Sequence, residues 1–216
     1  MTSEHCELCD ELDNGSRGLA LWPKLACRLT GDRVVAKSDE YICLVTAGPI
    51  TRGHCLVLPR THRSSMAAAD PAEQMTLALF LRELRTLMKR VYGMPSLLFE
   101  HGAPEGSAGK RPCTVAHAHW HLVPVAIDPV DILVDHYTWC PTNNPFVAAD
   151  REYLLVGNAD GSYWVTYPEA EIPSQVLRQR LANRLGQIDR DWDWRREPAV
   201  GLMMTTLADF RASKRS

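Results

Sequence analysis

The sequence has no long hydrophobic run, no large excess of charge and no secretory leader. No segment approaches the roughly 20 consecutive apolar residues that a membrane-spanning helix needs. The formal net charge of −2 argues against broad electrostatic capture of nucleic acid or anionic membrane. The first residues lack the basic and apolar regions of a signal peptide, which predicts a cytoplasmic location. Membrane and nucleic-acid partners are therefore not expected.

Internal repeats and low-complexity linkers are also missing from the chain. Its 216 residues fit one large domain, or one ordinary domain with an extension, and 45% hydrophobic residues can bury a sizeable core. Disulfides are not expected, because seven cysteines are an odd number and no leader precedes them. The pattern changes near residue 130, so we predict a first domain over residues 1–130 and an extension over residues 131–216 that packs on it.

Three histidines at two-residue spacing are the most informative feature that is present. His117, His119 and His121 alternate with Ala118 and Trp120. Successive side chains of a β-strand point to opposite faces, so the spacing predicts three imidazoles on one face and apolar groups on the other. Imidazoles titrate near neutral pH, act as nucleophiles and bind metals. The row indicates chemistry, although a metal-binding surface or a solvated face would show the same spacing.

Local signals predict a mixture of strands and helices around this row. Short apolar runs predict strands at residues 41–46, 54–58 and 96–100. Residues 153–156 and 163–167 flank a Gly- and Asn-containing turn, which predicts a hairpin in the extension.

Helix boundaries are also marked in the sequence. Asp70 and Glu73 have the spacing of a capping box, and Gly93 is a natural C-terminal stop, so a long helix is predicted between them. In the extension, Ser174 is predicted to cap a second helix, and a last helix is expected over residues 198–211.

Three segments resemble the histidine-triad (HIT) superfamily. Residues 117–123 match its His-x-His-x-His signature with apolar residues after it. Residues 53–62 (Gly-His-Cys-Leu-Val-Leu-Pro-Arg-Thr-His) are similar to its strand and turn. Residues 99–102 resemble the strand end before the triad, also as found in the galactose-1-phosphate uridylyltransferase branch. The resemblance covers residues 5–127 and implies an α+β fold with a mostly antiparallel sheet, a packed helix and usually a homodimer.

The resemblance also implies roles for individual residues. The central histidine, His119, would attack the α-phosphorus of a nucleotide, and His121 would support it. His54 and Thr114 stand where the family contacts the phosphate. Two further candidates, Glu100 and His101, would contact the substrate from the loop before the triad, unless they are ordinary loop residues.

The predicted activity is therefore that of a nucleotide hydrolase with a nucleotidyl-histidine intermediate. Its substrate would be a phosphoanhydride, a phosphoramidate or a phosphoester. One alternative is a nucleotidyltransferase that uses an acceptor other than water, and another is a non-catalytic nucleotide- or RNA-binding module. The uridylyltransferase branch usually has glutamine at the third triad position, so His121 favours hydrolysis.

Near the N-terminus, Cys6 and Cys9 form a Cys-x-x-Cys pair. On its own, such a pair is a redox pair, half of a zinc site, or chance. A redox pair is expected at a helix start after a strand, and only five residues precede Cys6. In zinc-bearing HIT and uridylyltransferase branches, the pair joins the histidine of the Pro-x-x-His turn and the first triad histidine. By that resemblance, Cys6, Cys9, His62 and His117 would bind a structural zinc ion.

Two positions depart from the family pattern. Thr46 stands where many members carry an acidic residue that holds the ribose hydroxyls. Residues 112–115 read Pro-Cys-Thr-Val in place of the usual Gly-Gln-Ser/Thr-Val. These departures change the expected substrate contacts and leave the phosphorus chemistry intact.

Overall fold

One antiparallel sheet dominates the computed structural model, which describes residues 6–14, 33–104, 115, 117–188, 194 and 196–214. Its strands are β1 (Val34–Lys37), β2 (Tyr41–Val45), β3 (Cys55–Pro59), β4 (Ser96–Gly102), β5 (Trp120–Pro124), β6 (Cys140–Thr142), β7 (Tyr153–Gly157) and β8 (Tyr163–Thr166). Within the described residues the order is β1-β2-β3-β5-β4-β7-β8-β6, and neighbouring strands are antiparallel. The helices are α1 (Glu7–Asn14), α2 (Pro71–Tyr92), α3 (Val176–Arg184) and α4 (Val200–Ser213). The predicted α+β fold is confirmed.

The extension continues the sheet of the first domain. β7 pairs with β4 along a register that runs from Leu98 opposite Gly157 to Gly102 opposite Tyr153. β7 then pairs with β8, as the predicted hairpin requires. The edges of the described sheet are therefore β1 and β6, and β4 is an interior strand. The boundary near residue 130 falls within this continuous sheet, and a division into two domains stays a prediction.

Helix α2 forms as its end signals predict. The Asp70 side chain accepts from the Glu73 amide, and the Glu73 side chain accepts from the Asp70 amide, which completes the capping box. At the other end, Gly93 has a φ of 71°, a left-handed conformation that costs glycine little. Between these ends, Leu77, Leu81 and other apolar residues line the buried face of the helix.

The ends of the extension helices differ from the prediction in one respect. Ser174 is not the cap of α3, because Gln175 occupies that position with a φ of 60° and its side chain makes no capping hydrogen bond. This left-handed backbone turns the chain into the helix without the extended geometry that a serine cap needs. The last helix, predicted over residues 198–211, is confirmed as α4.

The two faces of the sheet are covered by different helices. α2 and α4 pack on one face, around Trp120 and Leu98. On the other face, α3 packs against Phe99 of β4 and Leu154 of β7, and α1 contributes Leu8 to an apolar cluster with β2 and β3. A cavity lies on this second face and is lined by residues of both α1 and α3.

Among the described residues, no helix combines the necessary length with sufficient apolar character to cross a bilayer.

Candidate functional site

The three triad histidines lie where the chain enters β5. The strand begins at Trp120, so the prediction of a strand that includes His117 and His119 is wrong. The reason is that the amide of Ala118 donates to the carbonyl of Arg63 at 2.7 Å, outside the sheet ladder. The alternation of faces still holds from Ala118 onwards. Ala118 and Trp120 enter the core under α2, whereas His119 and His121 line the cavity on the opposite face.

Cys6, Cys9, His62 and His117 come together in one cluster. Their four ligand atoms all lie within 4.8 Å of one another. The Cys9 Sγ is 3.3 Å from His62 Nδ1 and 3.4 Å from His117 Nδ1, and the Cys6 Sγ is 3.6 Å from His117 Nδ1. Tetrahedral zinc has Zn–S bonds of about 2.3 Å and Zn–N bonds of about 2.1 Å, which separates sulfur from nitrogen by about 3.6 Å. The cluster can therefore hold a metal ion.

A hydrogen bond and burial set the tautomer and the charge of His117 in this cluster. The Nε2–H of His117 donates to the Pro59 carbonyl at 2.8 Å, so the lone pair of the neutral ring is on Nδ1, toward the cysteines. Burial lowers the pKa of His117 to about 4, against that hydrogen bond, and keeps the ring neutral. The amide of Cys9 lies 3.5 Å from the Cys6 Sγ, where it can donate to a thiolate.

A backbone hydrogen bond sets the tautomer of His119, which lines the cavity. Its Nδ1–H donates to the backbone carbonyl of His117 at 2.7 Å, and a neutral imidazole with this tautomer has its lone pair on Nε2. Burial lowers the pKa of His119, and the charges of Arg178 and His101 lower it further, although the bond to the carbonyl opposes them. The ring is therefore neutral at neutral pH.

A chain of hydrogen bonds fixes the tautomer of His121. The Ile50 amide can only donate, and it does so to His54 Nδ1 at 3.2 Å. His54 must then carry its proton on Nε2, which donates to His121 Nδ1 at 2.9 Å. Burial lowers the pKa of His121 well below its ordinary value, so this ring is neutral and keeps its proton on Nε2. Phe99 stacks on the ring, with centroids 4.4 Å apart. His121 is thereby held as a hydrogen-bond donor.

The cavity that contains His119 and His121 measures about 760 Å³, including its open mouth. Its walls combine Leu8 of α1, Phe99 and His101 of β4, and Thr46 after β2. The extension contributes residues 174–178 and Trp194 to the same walls. The first domain and the extension therefore build this site together.

Glu100 and His101 belong to β4, not to the loop after it, and this corrects the predicted placement. Glu100 faces the core and does not line the cavity. Its carboxylate accepts from the Met66 amide at 2.8 Å, from Trp120 Nε1 at 2.9 Å and from the Tyr153 hydroxyl at 2.8 Å. His101 does line the cavity, and its Nε2 lies 2.5 Å from a Glu152 carboxylate oxygen. Glu100 thus accepts hydrogen bonds in the core, on the face of the sheet opposite His119 and His121.

Glu100 makes the stability of the fold depend on pH. Burial raises the pKa of Glu100 to about 7, against its three hydrogen bonds. The folded state keeps the proton of this carboxyl up to about pH 7, whereas the unfolded chain loses it near pH 4.5. The contribution of Glu100 to the free energy of unfolding therefore falls by roughly 3 kcal/mol as pH rises from about 4.5 to about 7. Glu100→Gln removes the titration and puts an amide N–H against the donor Trp120, which costs about 1–3 kcal/mol. In urea unfolding between pH 5 and pH 8, the stability difference between wild type and variant should shrink as pH rises.

The exposed helix residue Glu83 supplies the matched control for that experiment, because Glu83→Gln should leave the pH dependence of unfolding unchanged. A difference between wild type and Glu100→Gln that does not shrink as pH rises would show that the buried carboxyl is ionised throughout the window.

Two arginines line the cavity without having been predicted, and one predicted site residue is not described by the structure. Thr114 lies outside the residues that the structure describes. Arg178 and Arg33 line the cavity, and the sequence reasoning gave neither of them a role. Arg178 lies in the buried stripe of α3 between Leu177 and Leu181, so a charged residue within a predicted apolar face was the available signal. Arg33 had no comparable signal, because its partners come from two separate elements, Glu11 in α1 and the carbonyl of Val45.

Comparison with known proteins adds evidence from sequence. The family model for the HIT domain matches residues 30–126. An uncharacterized HIT-like protein of Saccharolobus solfataricus is 27% identical over 130 residues, which are 60% of this chain and 81% of that protein.

Solved structures show similarity at lower identity. A hypothetical histidine triad nucleotide-binding protein of Sulfolobus tokodaii is 15% identical, with 97% of this chain and 95% of that chain covered and a TM-score of 0.42. A protein of Streptococcus mutans is 22% identical, with 63% of this chain and 77% of that chain covered and a TM-score of 0.44.

The family match covers the histidines of the site, whereas Cys6, Cys9 and residues 174–178 lie outside it. Residues 30–126 include His54, His62 and all three triad histidines, together with strands β1 to β5. Membership of the zinc-bearing, uridylyltransferase-like branch stays a prediction. The predicted resemblance to the histidine-triad superfamily is confirmed by the match of residues 30–126 to the HIT domain.

Proposed function

We propose that this protein is a nucleotide hydrolase that acts at the α-phosphorus of its substrate. The hydrogen bond from His119 Nδ1 to the His117 carbonyl carries this proposal, because it leaves the lone pair on Nε2 at the cavity. A neutral imidazole in that state attacks phosphorus without first losing a proton. A HIT domain over residues 30–126 supports a nucleotide as the ligand.

In the proposed first step, His119 Nε2 forms a bond to the α-phosphorus. The bond between phosphorus and the leaving group breaks, and the leaving group departs with the electron pair. Negative charge increases on the phosphoryl oxygens during this step, and preorganised donors stabilise it. The hydrogen-bond chain through His54 makes the Nε2–H of His121 such a donor.

In the second step, a water molecule attacks the phosphorus of the nucleotidyl-histidine. The phosphorus–nitrogen bond breaks, its electron pair returns to His119 Nε2, and the water gives up one proton to the departed leaving group or to solvent. The products are a mononucleotide and the protonated leaving group. Two easier displacements thereby replace one difficult one.

Turnover of a substrate panel tests this proposal. The panel contains nucleoside phosphoramidates, dinucleoside polyphosphates and nucleotide sugars, and chromatography follows the release of mononucleotide. We expect release from at least one class, with one oxygen-18 atom incorporated from labelled water. An unlabelled product joined to an added sugar phosphate would instead indicate transfer. Binding of mononucleotides without turnover of any class would contradict the proposed hydrolase and indicate a binding module.

Three further properties complete the proposal. The ion at Cys6, Cys9, His62 and His117 would be zinc, with a structural role, because two thiolates and two imidazoles suit it.

We propose a homodimer in the cytoplasm as the working form of the protein. Pairing between two copies through a sheet edge would use β1 or β6, the edges of the described sheet, and light scattering after gel filtration measures the mass.

A further inference from the structure

Part of the cavity lining comes from outside the HIT domain. Residues 174–178, which are the turn before α3 and its first residues, line the same cavity as His119 and His121. The HIT family match ends at residue 126. A substrate held against His119 would therefore contact side chains that the family match does not include.

Arg178 is the charged residue in this wall. It is only 5% exposed, on the buried face of α3, and it lines the cavity. Its Nη2–H donates to the carbonyl of Gly48 at 2.5 Å, which holds the guanidinium against the loop between β2 and β3. Arginine is rarely buried to this extent in proteins, and a cavity that receives an anion is one place where its charge is useful.

The loop between β2 and β3, which accepts the hydrogen bond from Arg178, is also hydrogen-bonded to other residues of the extension. The Gly48 amide donates to the carbonyl of Pro198 at 2.8 Å, and Gln187 Nε2 donates to the carbonyl of Ile50 at 3.0 Å. Gly48 has a φ of 60°, and a Cβ atom added at this position would lie only 2.8 Å from the Cβ of Trp194. Arg178 therefore has a fixed position relative to His54, which follows on the same loop.

Arg178 lines the same cavity as the rings of His119 and His121. A phosphate bound at these two rings would therefore lie in the field of the guanidinium. The planar guanidinium donates two parallel hydrogen bonds to phosphate oxygens, a geometry that neither imidazole provides.

We propose that Arg178 binds the phosphoryl oxygens of the α-phosphate, which makes the extension a functional part of the active site. This inference rests on the proposed function, since it assumes an α-phosphate at His119. It assigns the ligand of this wall to one chemical class, nucleoside 5′-phosphates. Affinity should then depend on the phosphate group through Arg178, whichever leaving group the enzyme accepts.

Calorimetric titration with the four common 5′-mononucleotides tests this assignment without turnover. For the tightest-binding mononucleotide, Arg178→Gln should weaken binding by about 10- to 100-fold. The affinity for the corresponding nucleoside, which has no phosphate, should be the same in wild type and variant. The matched control is Arg184→Gln, on the exposed side of the same helix, where the arginine pairs with Asp131. This control should bind both ligands as the wild type does.

A conservative variant covers the case in which Arg178→Gln does not fold. Arg178→Lys keeps the charge and loses the two-pronged geometry, so it should bind the mononucleotide several-fold more weakly. Equal mononucleotide affinities in the wild type and in the folded variant would overturn the inference, whatever the turnover. If neither the wild type nor the variants turn over substrate but mononucleotide binding depends on Arg178, the hydrolase proposal is contradicted and the inference about Arg178 stands. A wild type that binds no mononucleotide would overturn both.

Discussion

The variant His119→Ala is expected to lose turnover by at least about 1,000-fold, because it removes the nucleophile of the proposed reaction. The loss should appear in kcat, since mononucleotide binding to Arg178 and His121 does not require the His119 ring. The fold should persist, because the His119 side chain is only partly buried and its hydrogen bond is to the nearby His117 carbonyl. Metal content should also persist, since His119 is not one of the four clustered residues.

His136→Ala is the matched control, because His136 is an exposed histidine away from the cavity. It should turn over substrate as the wild type does. The intermediate gives a second and direct measurement. Mass spectrometry after an alkaline quench should find the nucleotidyl group on a peptide that contains His119, since the phosphorus–nitrogen bond is labile to acid. Full activity in His119→Ala, or the adduct on another histidine, would rule out the assigned nucleophile.

Those parts of the fold that depend on neighbouring residues could be predicted from the sequence. The capping box of α2 needs only Asp70 and Glu73 at a three-residue spacing, and Gly93 supplies its left-handed end. From Ala118 onwards, the two-residue spacing likewise predicts which side chains share a face, because the period of an extended chain is two. These features follow from local stereochemistry.

The metal cluster could be predicted for a different reason. Its four residues are separated by up to 111 positions, so no local rule brings Cys6 to His117. The resemblance to a family supplied that long-range contact. Of the two cavity residues without a predicted role, Arg178 lies in the extension, where no such resemblance was used. Arg33 lies just before β1, and its partners come from α1 and β2.

Glu100 shows the limit of reasoning from a motif. It lies next to two cavity residues, Phe99 and His101, and a sequence motif does not state which face each residue occupies. In β4 the alternation sends Glu100 to the core, where Trp120 and Tyr153 donate to it. Tyr153 comes from the extension, and its pairing with β4 was not predictable from either segment alone.

Loss of the metal cluster is expected to affect both stability and catalysis. Protein purified without chelator should contain about one zinc ion per chain, and the double variant Cys6→Ser/Cys9→Ser should contain none. The melting temperature should fall by at least about 5 °C, because the cluster joins the N-terminal segment to His62 and to the start of β5. Cys140→Ser is the control, since Cys140 is exposed and outside the cluster.

The effect on catalysis follows from the two contacts of a single residue. His117 directs Nδ1 to the cysteines, and its backbone carbonyl accepts the hydrogen bond from His119 Nδ1–H that fixes the tautomer of His119. A looser His117 should therefore lower kcat more than it raises KM, when turnover is measured well below both melting temperatures. Metal-free wild-type protein with the melting temperature and kcat of the double variant would support this coupling. A double variant that melts and turns over like the wild type would show that the cluster neither stabilises the fold nor positions the nucleophile.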